Sequence, residues 1–319
     1  MPSLDIDSNP NPNFMQFFDD NSEYEPEFLS NYQNNCAISQ YISEGNLKNF
    51  FNSDEQSAIN LIHINARSMK KNFDKIQALL SNISGTLTAI AVTETWLNDS
   101  LHDVFFLPGY NFISKCRSSK IGGGVGIFVC SSLNYFVRSD LCRMNNFIES
   151  VFVEVVQDNK QNIVIGCIYR PPSNERDSVE TFNSDFCDIL KVIESGKAKT
   201  VLLAGDYNLD LLKCNSHGPT NDFLNSLLSY SYFPTITHPT RIADQSATLI
   251  DNIFVNGLTK MYNSAIIYSD ISDHFPVAIH MALVLNKQKQ PTHCKTRCYD
   301  SKSVQISMPL STVIHVGLK

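Results

Sequence analysis

Short runs of consecutive apolar residues, each closing on a polar group, recur through the middle of this chain and restrict its fold more than any other feature. Val201 to Ala204 leads through Gly205 to Asp206 and Asn208. Leu61 to Ile64, broken only by His63, closes on Asn65, and Ala89 to Val92 closes on Thr93, Glu94, Thr95 and Trp96. Ile163 to Ile168 leads to Tyr169, Arg170 and two prolines, and Asp251 lies between Ile250 and the run from Ile253 to Val255. Ile266 to Tyr268 runs into Ser269, Asp270, Ser272, Asp273 and His274, after which Pro276 to His280 reads as a last strand. Apolar residues at consecutive positions suit strands covered on both faces. Rigid strands that deliver acids, amides, a tyrosine and a histidine to their ends are how a sheet carries an active site. At Gly205 the pattern predicts an unusual turn, with Asp206 and Asn208 on one side of extended backbone. Alone, that segment also reads as a strand ending in an ordinary Asx turn.

Strand signals spread from Leu61 to Leu285 and, with 43% hydrophobic residues in 319, predict one domain behind an N-terminal extension. Phe73, Ile76, Leu79 and Leu80 give residues 72–81 the spacing of an amphipathic helix, and Phe182, Phe186, Ile189, Leu190 and Ile193 do so for 179–194. Val151 to Val156 pairs plausibly with Ile163 to Tyr169 as a hairpin. The glycines at 122–124 precede a strand, Val125 to Cys130, and lack the Lys and Ser or Thr of a phosphate-binding loop, so they predict a hairpin turn. Strands separated by both hairpins and helices predict an α+β fold of two packed sheets with outer helices.

Residues 1–55 hold ten acids and one base, Lys48, a composition that predicts a disordered or only locally helical leader. It reads as a solvated extension or as an acidic arm competing with an anionic substrate. Residues 287–319 hold six bases and one acid without a clear period, fitting a basic DNA-contacting tail or a truncated or frame-altered end. The expected domain, 56–286, has 18 bases and 21 acids, so binding of nucleic acid would depend on metal and a local basic rim and would be salt-sensitive. No apolar run reaches a membrane span and the N-terminus lacks a signal core, which predicts an intracellular protein of the nucleus or cytoplasm without membrane attachment. Of nine cysteines, Cys130 and Cys167 lie within apolar strands, and the set reads as buried free thiols in a reducing compartment. His293, Cys294 and Cys298 form too partial a cluster for zinc.

The chemistry narrows by residue type. No G-x-S-x-G elbow is present for acyl transfer. Several carboxylates with two amides and one histidine suit a hard, oxygen-liganded cation such as magnesium. Magnesium with an attacking water means phosphoester hydrolysis, in which a carboxylate prepares water and a histidine backed by an acid meets the developing oxyanion.

The set H-I-N-A-R-S (63–68), T-E-T-W-L (93–97), I-Y-R-P-P (168–172), G-D-Y-N-L-D (205–210), P-T-R (239–241), L-I-D-N-I-F-V-N (249–256) and S-D-H-F-P-V (272–277) resembles the endonuclease/exonuclease/phosphatase superfamily. More narrowly it is similar to the apurinic-endonuclease-like domain of non-LTR retrotransposon polyproteins, with motif order and spacing agreeing over residues 60–285. The resemblance implies a DNase I-like four-layer αββα sandwich. It implies Glu94 as the main magnesium ligand, with Asn65 on the same metal and Asp273 close by, and manganese as a possible substitute. It further implies that Asp206 activates water, Asn208 holds a phosphate oxygen, Tyr169 hydrogen-bonds the phosphate, and His274 contacts it, kept cationic by Asp251. Arg67, Arg170 and Thr240 fall to substrate contact, DNA being the expected partner, with no small-molecule cofactor and no obligate oligomer.

The departures bear on the branch. Apurinic-site repair enzymes carry an acid two residues after the first Asn, where this chain has Arg67, which favours the retrotransposon branch. The segments N-L-D-L-L and I-D-N-I-F-V-N do not match inositol phosphatases or sphingomyelinases. No polymerase sequence follows Leu285, so nicking DNA is the most expected of this chain; phosphatase or RNase action at the same site, or a non-catalytic mobile-element remnant, are the alternatives.

Overall fold

The computed structural model describes residues 39–51, 58–81, 83, 87–98, 104–118, 121–157, 160–173, 177–196, 199–243, 245–257 and 262–282. The basic tail at 287–319 and its His293, Cys294 and Cys298 lie outside them, as does the leader up to residue 38. In chain order the elements are β1 (Gln40–Ser43), α1 (Leu47–Phe51), β2 (Ala58–Asn65), α2 (Met69–Leu80), β3 (Ala89–Thr93), β4 (Tyr110–Lys115), β5 (Val125–Cys130), β6 (Tyr135–Val137), β7 (Arg143–Met144), β8 (Glu149–Val155) and β9 (Ile163–Tyr169). They continue with α3 (Ser178–Glu194), β10 (Thr200–Asp206), α4 (Gly218–Ser229), β11 (Tyr232–Pro234), β12 (Arg241–Ala243), β13 (Ser246–Thr248), β14 (Asp251–Asn256), β15 (Tyr262–Tyr268) and β16 (Val277–Ala282).

The consecutive apolar runs become central strands of two stacked sheets. One has the order β1-β15-β16-β2-β3-β5-β4; the other runs β11-β14-β10-β9-β8-β6, with β7 on β8. Between them Leu61, Ala89 and Ile127 of the first sheet share one core with Val151, Ile165 and Cys167 of the second. Because both faces of these strands are covered, the other set of side chains needs helices. Ile62, Ile64, Ile90 and Val92 pack on Met69, Ile76 and Leu80 of α2 and on Leu47 and Phe51 of α1. Phe182, Phe186 and Ile189 of α3 and Phe223 of α4 cover the second sheet. The result is the expected helix–sheet–sheet–helix sandwich. The six cysteines among the described residues whose state is resolved are free thiols. No helix among the described residues is long and apolar enough to cross a membrane.

The folded domain begins before residue 56. β1 pairs in parallel with β15 in the register Tyr41↔Ile266, Tyr41 stacks on Tyr268 at 5.3 Å, and its hydroxyl donates to Pro239 O at 2.8 Å. A four-residue strand whose partner lies more than 200 residues away has no local period to announce it.

Candidate functional site

Strand register assembles the site. Parallel pairing of β10 with β9 sets Asp206 opposite Tyr169, and antiparallel pairing with β14 sets Asp206 opposite Asp251. β8 adds Glu149 opposite Tyr169, so one row across the second sheet reads Glu149, Tyr169, Asp206, Asp251. Residues in register on neighbouring strands turn their side chains to the same face. In the first sheet, parallel pairing of β2 with β3 aligns Asn65 with Thr93, one residue before Glu94. The Asn65 amide then joins the sheets, donating to Glu94 Oε1 at 3.0 Å and to Asp206 Oδ2 at 2.9 Å. Gly205 lies within β10 rather than in the expected turn, and its role is close approach: a Cβ there would stand 1.9 Å from Ile168 O of β9.

Asp251 and His274 form the electrostatic pair of the site. His274 Nδ1 lies 2.9 Å from Asp251 Oδ2, and the same oxygen accepts a 2.7 Å bond from Thr240 Oγ1. Burial works against the imidazolium, but the Asp251 charge and hydrogen bond, with Asp206 and Asp273, carry His274 up to about 9. Burial likewise opposes the Asp251 carboxylate, yet His274 and His63 hold it below its ordinary range. Asp206 moves the other way, up to about 8, through burial and the Asp251 charge. His63 lies on the far side of Asp251, its Nδ1 3.8 Å from Asp251 Oδ1, and burial brings it down to about 4, so it is neutral. Tyr169 is raised by burial and by Glu94 and Asp206 and is a neutral donor.

The loops that carry the remaining groups are held in costly conformations. Arg67, Ser68, Glu94, Trp96 and Asn208 have φ of 38°, 93°, 49°, 53° and 48°. Left-handed backbone at residues other than Gly costs of order 1–3 kcal/mol each, least for Asn, and persists where surrounding bonds fix it. Here those bonds are Ala66 N to Thr93 O and Ser68 N to Glu94 O, both 2.9 Å, and Trp96 N to Gly123 O at 2.8 Å. Asn208 is fixed by bonds from its backbone N–H to Asp206 Oδ1 at 3.0 Å and from its side-chain amide to Arg170 O at 2.8 Å. The amide also reaches Asp206 Oδ2 at 3.2 Å, so the two residues meet through a left-handed turn rather than along extended backbone.

Several expected roles change. Arg170 is 5% exposed and donates to Asn208 O and to Ser178 Oγ, so it braces the G-D-Y-N turn instead of meeting substrate. Thr240 is fully buried and serves Asp251. Asn65, expected on the metal, places its amide nitrogen between two carboxylates, while its oxygen accepts from Arg67 N at 3.1 Å. Asp273, expected beside the metal, has one oxygen 2.7 Å from Arg67 Nη1 and the other 2.9 Å from both Nε and Nη2 of Arg241.

Two site residues escaped sequence reading. Trp96 donates its indole N–H to Glu94 Oε2 at 3.2 Å, which together with Asn65 fixes both oxygens of that carboxylate. Glu149 is buried at the end of the row, raised by burial, and accepts from Gly124 N and from the Arg117 guanidinium. The W of T-E-T-W was a signal for the first; a glutamate inside an apolar strand was one for the second.

The donor set fits a hard cation. Asp206, Asp251 and His274 have ligand atoms within 4.8 Å of one another. Asp251 and His274 are bonded to each other, however, and the histidine is cationic, which leaves Glu94 and Asp206, bridged by Asn65, as the oxygen pair suited to a divalent ion. Residues 49–274 match a family model described as Endonuclease/Exonuclease/phosphatase family. Among solved structures the chain is similar to an AP endonuclease from Leishmania major, with a TM-score of 0.59 and 13% identity over 76% of this chain and 92% of that one. It is similar too to the endonuclease domain of TRAS1, a telomere-specific non-LTR retrotransposon (0.55, 13% identity, 71% and 99% covered). A mannosyl-6-phosphatase from Bacteroides thetaiotaomicron shares the fold as well (0.53, 15% identity, 70% and 100% covered). No curated protein matches the sequence.

Proposed function

The chain belongs to the endonuclease/exonuclease/phosphatase family, and from that membership we propose a magnesium-dependent DNA endonuclease of the non-LTR retrotransposon type that leaves a 3′-hydroxyl and a 5′-phosphate. The observation that carries this reading is the row Tyr169, Asp206, Asp251, closed by His274 on one side and by the Asn65 bridge to Glu94 on the other. Glu94 and Asp206 would hold the divalent ion, which neutralises phosphate charge and lowers the pKa of water when bound. Asp206 accepts the proton of the attacking water, placed for it opposite Tyr169 and Asp251 in the row. His274 gives Nδ1 to Asp251, which leaves Nε2 to donate to a non-bridging phosphate oxygen as charge develops. Tyr169 supplies a neutral donor to the same phosphate, while Asn208, whose side-chain amide donates to Arg170 O and Asp206 Oδ2, holds Asp206 in place.

A supercoiled-plasmid nicking assay tests the reading. Nicking should require magnesium, stop with EDTA, and fall by about 10²-fold or more in Glu94→Ala and His274→Ala, in line with loss of one preorganised electrostatic group. Absence of any magnesium-dependent nicking by pure parent protein would sink it. Turnover of a sugar phosphate or of RNA in place of DNA would move the same site to the phosphatase or RNase reading.

A further inference from the structure

Arg67, Asp273 and Arg241 come from three separate segments and meet at the edge of the site. The loop after β2 presents Arg67, held by its backbone bond to Asn65 Oδ1. Ser272 ties the Asp273 loop to the same place, donating to Asn65 O at 2.7 Å and accepting from His274 N at 3.2 Å. Arg241 opens the β12–β13 hairpin, its backbone bridged to His274, and Phe275 N donates to Thr240 O at 2.7 Å. The three side chains are therefore placed by the same backbone bonds that place Asn65 and His274.

The group is built for more than its own ion pairs. The two arginine side chains are 46% and 44% exposed, a setting in which ion pairs contribute little stability, yet Arg67 and Ser68 hold strained left-handed backbone to bring one of them there. Asp273 engages one nitrogen of Arg67 and two of Arg241, and each guanidinium carries five N–H donors in a planar fork that matches phosphate. Arg67 lies within electrostatic reach of Glu94 and Tyr169, at the edge of the proposed site. The group is net positive by one charge, in a domain where acids outnumber bases. A metal at Asp273 would have to displace a guanidinium or share its oxygen.

We propose that Arg67 and Arg241, joined through Asp273, form a fixed guanidinium pair that grips a substrate phosphate next to the scissile one, and that Asp273 is the strut of this pair and not a metal ligand. The proposal rests on the DNA-cleavage reading for its substrate.

Two measurements on the full chain test it, with thermal melts confirming that each variant folds. The first is binding of a labelled DNA duplex in EDTA as a function of salt. Arg67→Gln and Arg241→Gln should each flatten the slope of log K against log salt by about one, while Arg67→Lys should keep the parent slope and still nick more slowly. In the second, manganese binding followed by electron paramagnetic resonance should be unchanged in Asp273→Asn and weakened on the order of tenfold or more in Glu94→Gln. Unchanged slopes in both glutamine variants, no duplex binding by the parent, or manganese affinity lost in Asp273→Asn as in Glu94→Gln would each overturn the proposal. If the parent nicks DNA but the slopes do not move, the guanidinium pair fails and the cleavage reading stands; if slopes move as expected and the parent never nicks, the reverse holds.

Discussion

Asp251 lies between two histidines that titrate in opposite directions, His274 up to about 9 and His63 down to about 4. Asp251→Asn removes the charge and the charged acceptor that most oppose burial at His274, so its pKa in metal-free protein should fall clearly from about 9, as a histidine-selective NMR titration would read. A His274 that still titrates near 9 in that variant would show that Asp251 does not hold it. The stability consequence follows by sign. A raised folded-state value stabilises fully below 6.5 and is lost as pH climbs through about 9, whereas the depressed value of His63 stabilises above 6.5 and is lost as pH drops through about 4. That Asp206, Asp251 and His274 stand at strand ends and can converge was legible from sequence, because apolar runs closing on polar residues mark those ends. The partners of Arg170, Thr240 and Asp273 were not, because a buried arginine and an exposed one have the same letter. Only the fold shows that Arg170 faces Asn208 O and Arg241 faces Asp273.

At the scale of elements, strands and helices with dense local period were readable: Val125–Cys130 and Ser178–Glu194 form almost where the apolar spacing puts them. β1 and the short β12–β13 hairpin were not, since their stability comes from pairing with distant segments or from a local turn. Gly205 shows the limit most clearly, because its meaning depends on how near β9 passes, which no spacing within β10 reveals. Gly205→Ala would drive a methyl into the Ile168 carbonyl, which is backbone and cannot rotate away. Overpacking costs about 1–3 kcal/mol where side chains can adjust, so here the loss should reach or exceed that range in urea unfolding. Nicking should fall in parallel, because widening β9 from β10 separates Tyr169 from Asp206. A fully stable, active Gly205→Ala protein would show that the two strands do not pass as closely as they do here.

The site exists only when the whole molecule is assembled. Asn65 and Glu94 come from one sheet, Tyr169, Asp206 and Asp251 from the other, and the Asn65 amide links the Glu94 and Asp206 carboxylates across them. Without a cation, Glu94, Asp206 and Asp251 face one another with His274 as the nearest compensating charge, and Asp206 responds by retaining its proton to about 8. A divalent ion held by Glu94 and Asp206 binds the folded chain and not the unfolded one, since no unfolded segment brings those two together. Linkage then sets the size of the effect: at a hundred times its dissociation constant a ligand adds about 2.7 kcal/mol, or roughly 5–10 °C in the melting temperature of a domain this long. Magnesium should therefore raise the melting temperature of the parent at pH 7.5, and Glu94→Ala should abolish the rise. Asp206→Asn should melt higher than the parent in EDTA at pH 9, where the parent must keep a buried carboxylate charged, and should gain little from magnesium. Equal magnesium-induced shifts in parent and Glu94→Ala would place the cation elsewhere and remove the basis for assigning it to the junction of the two sheets.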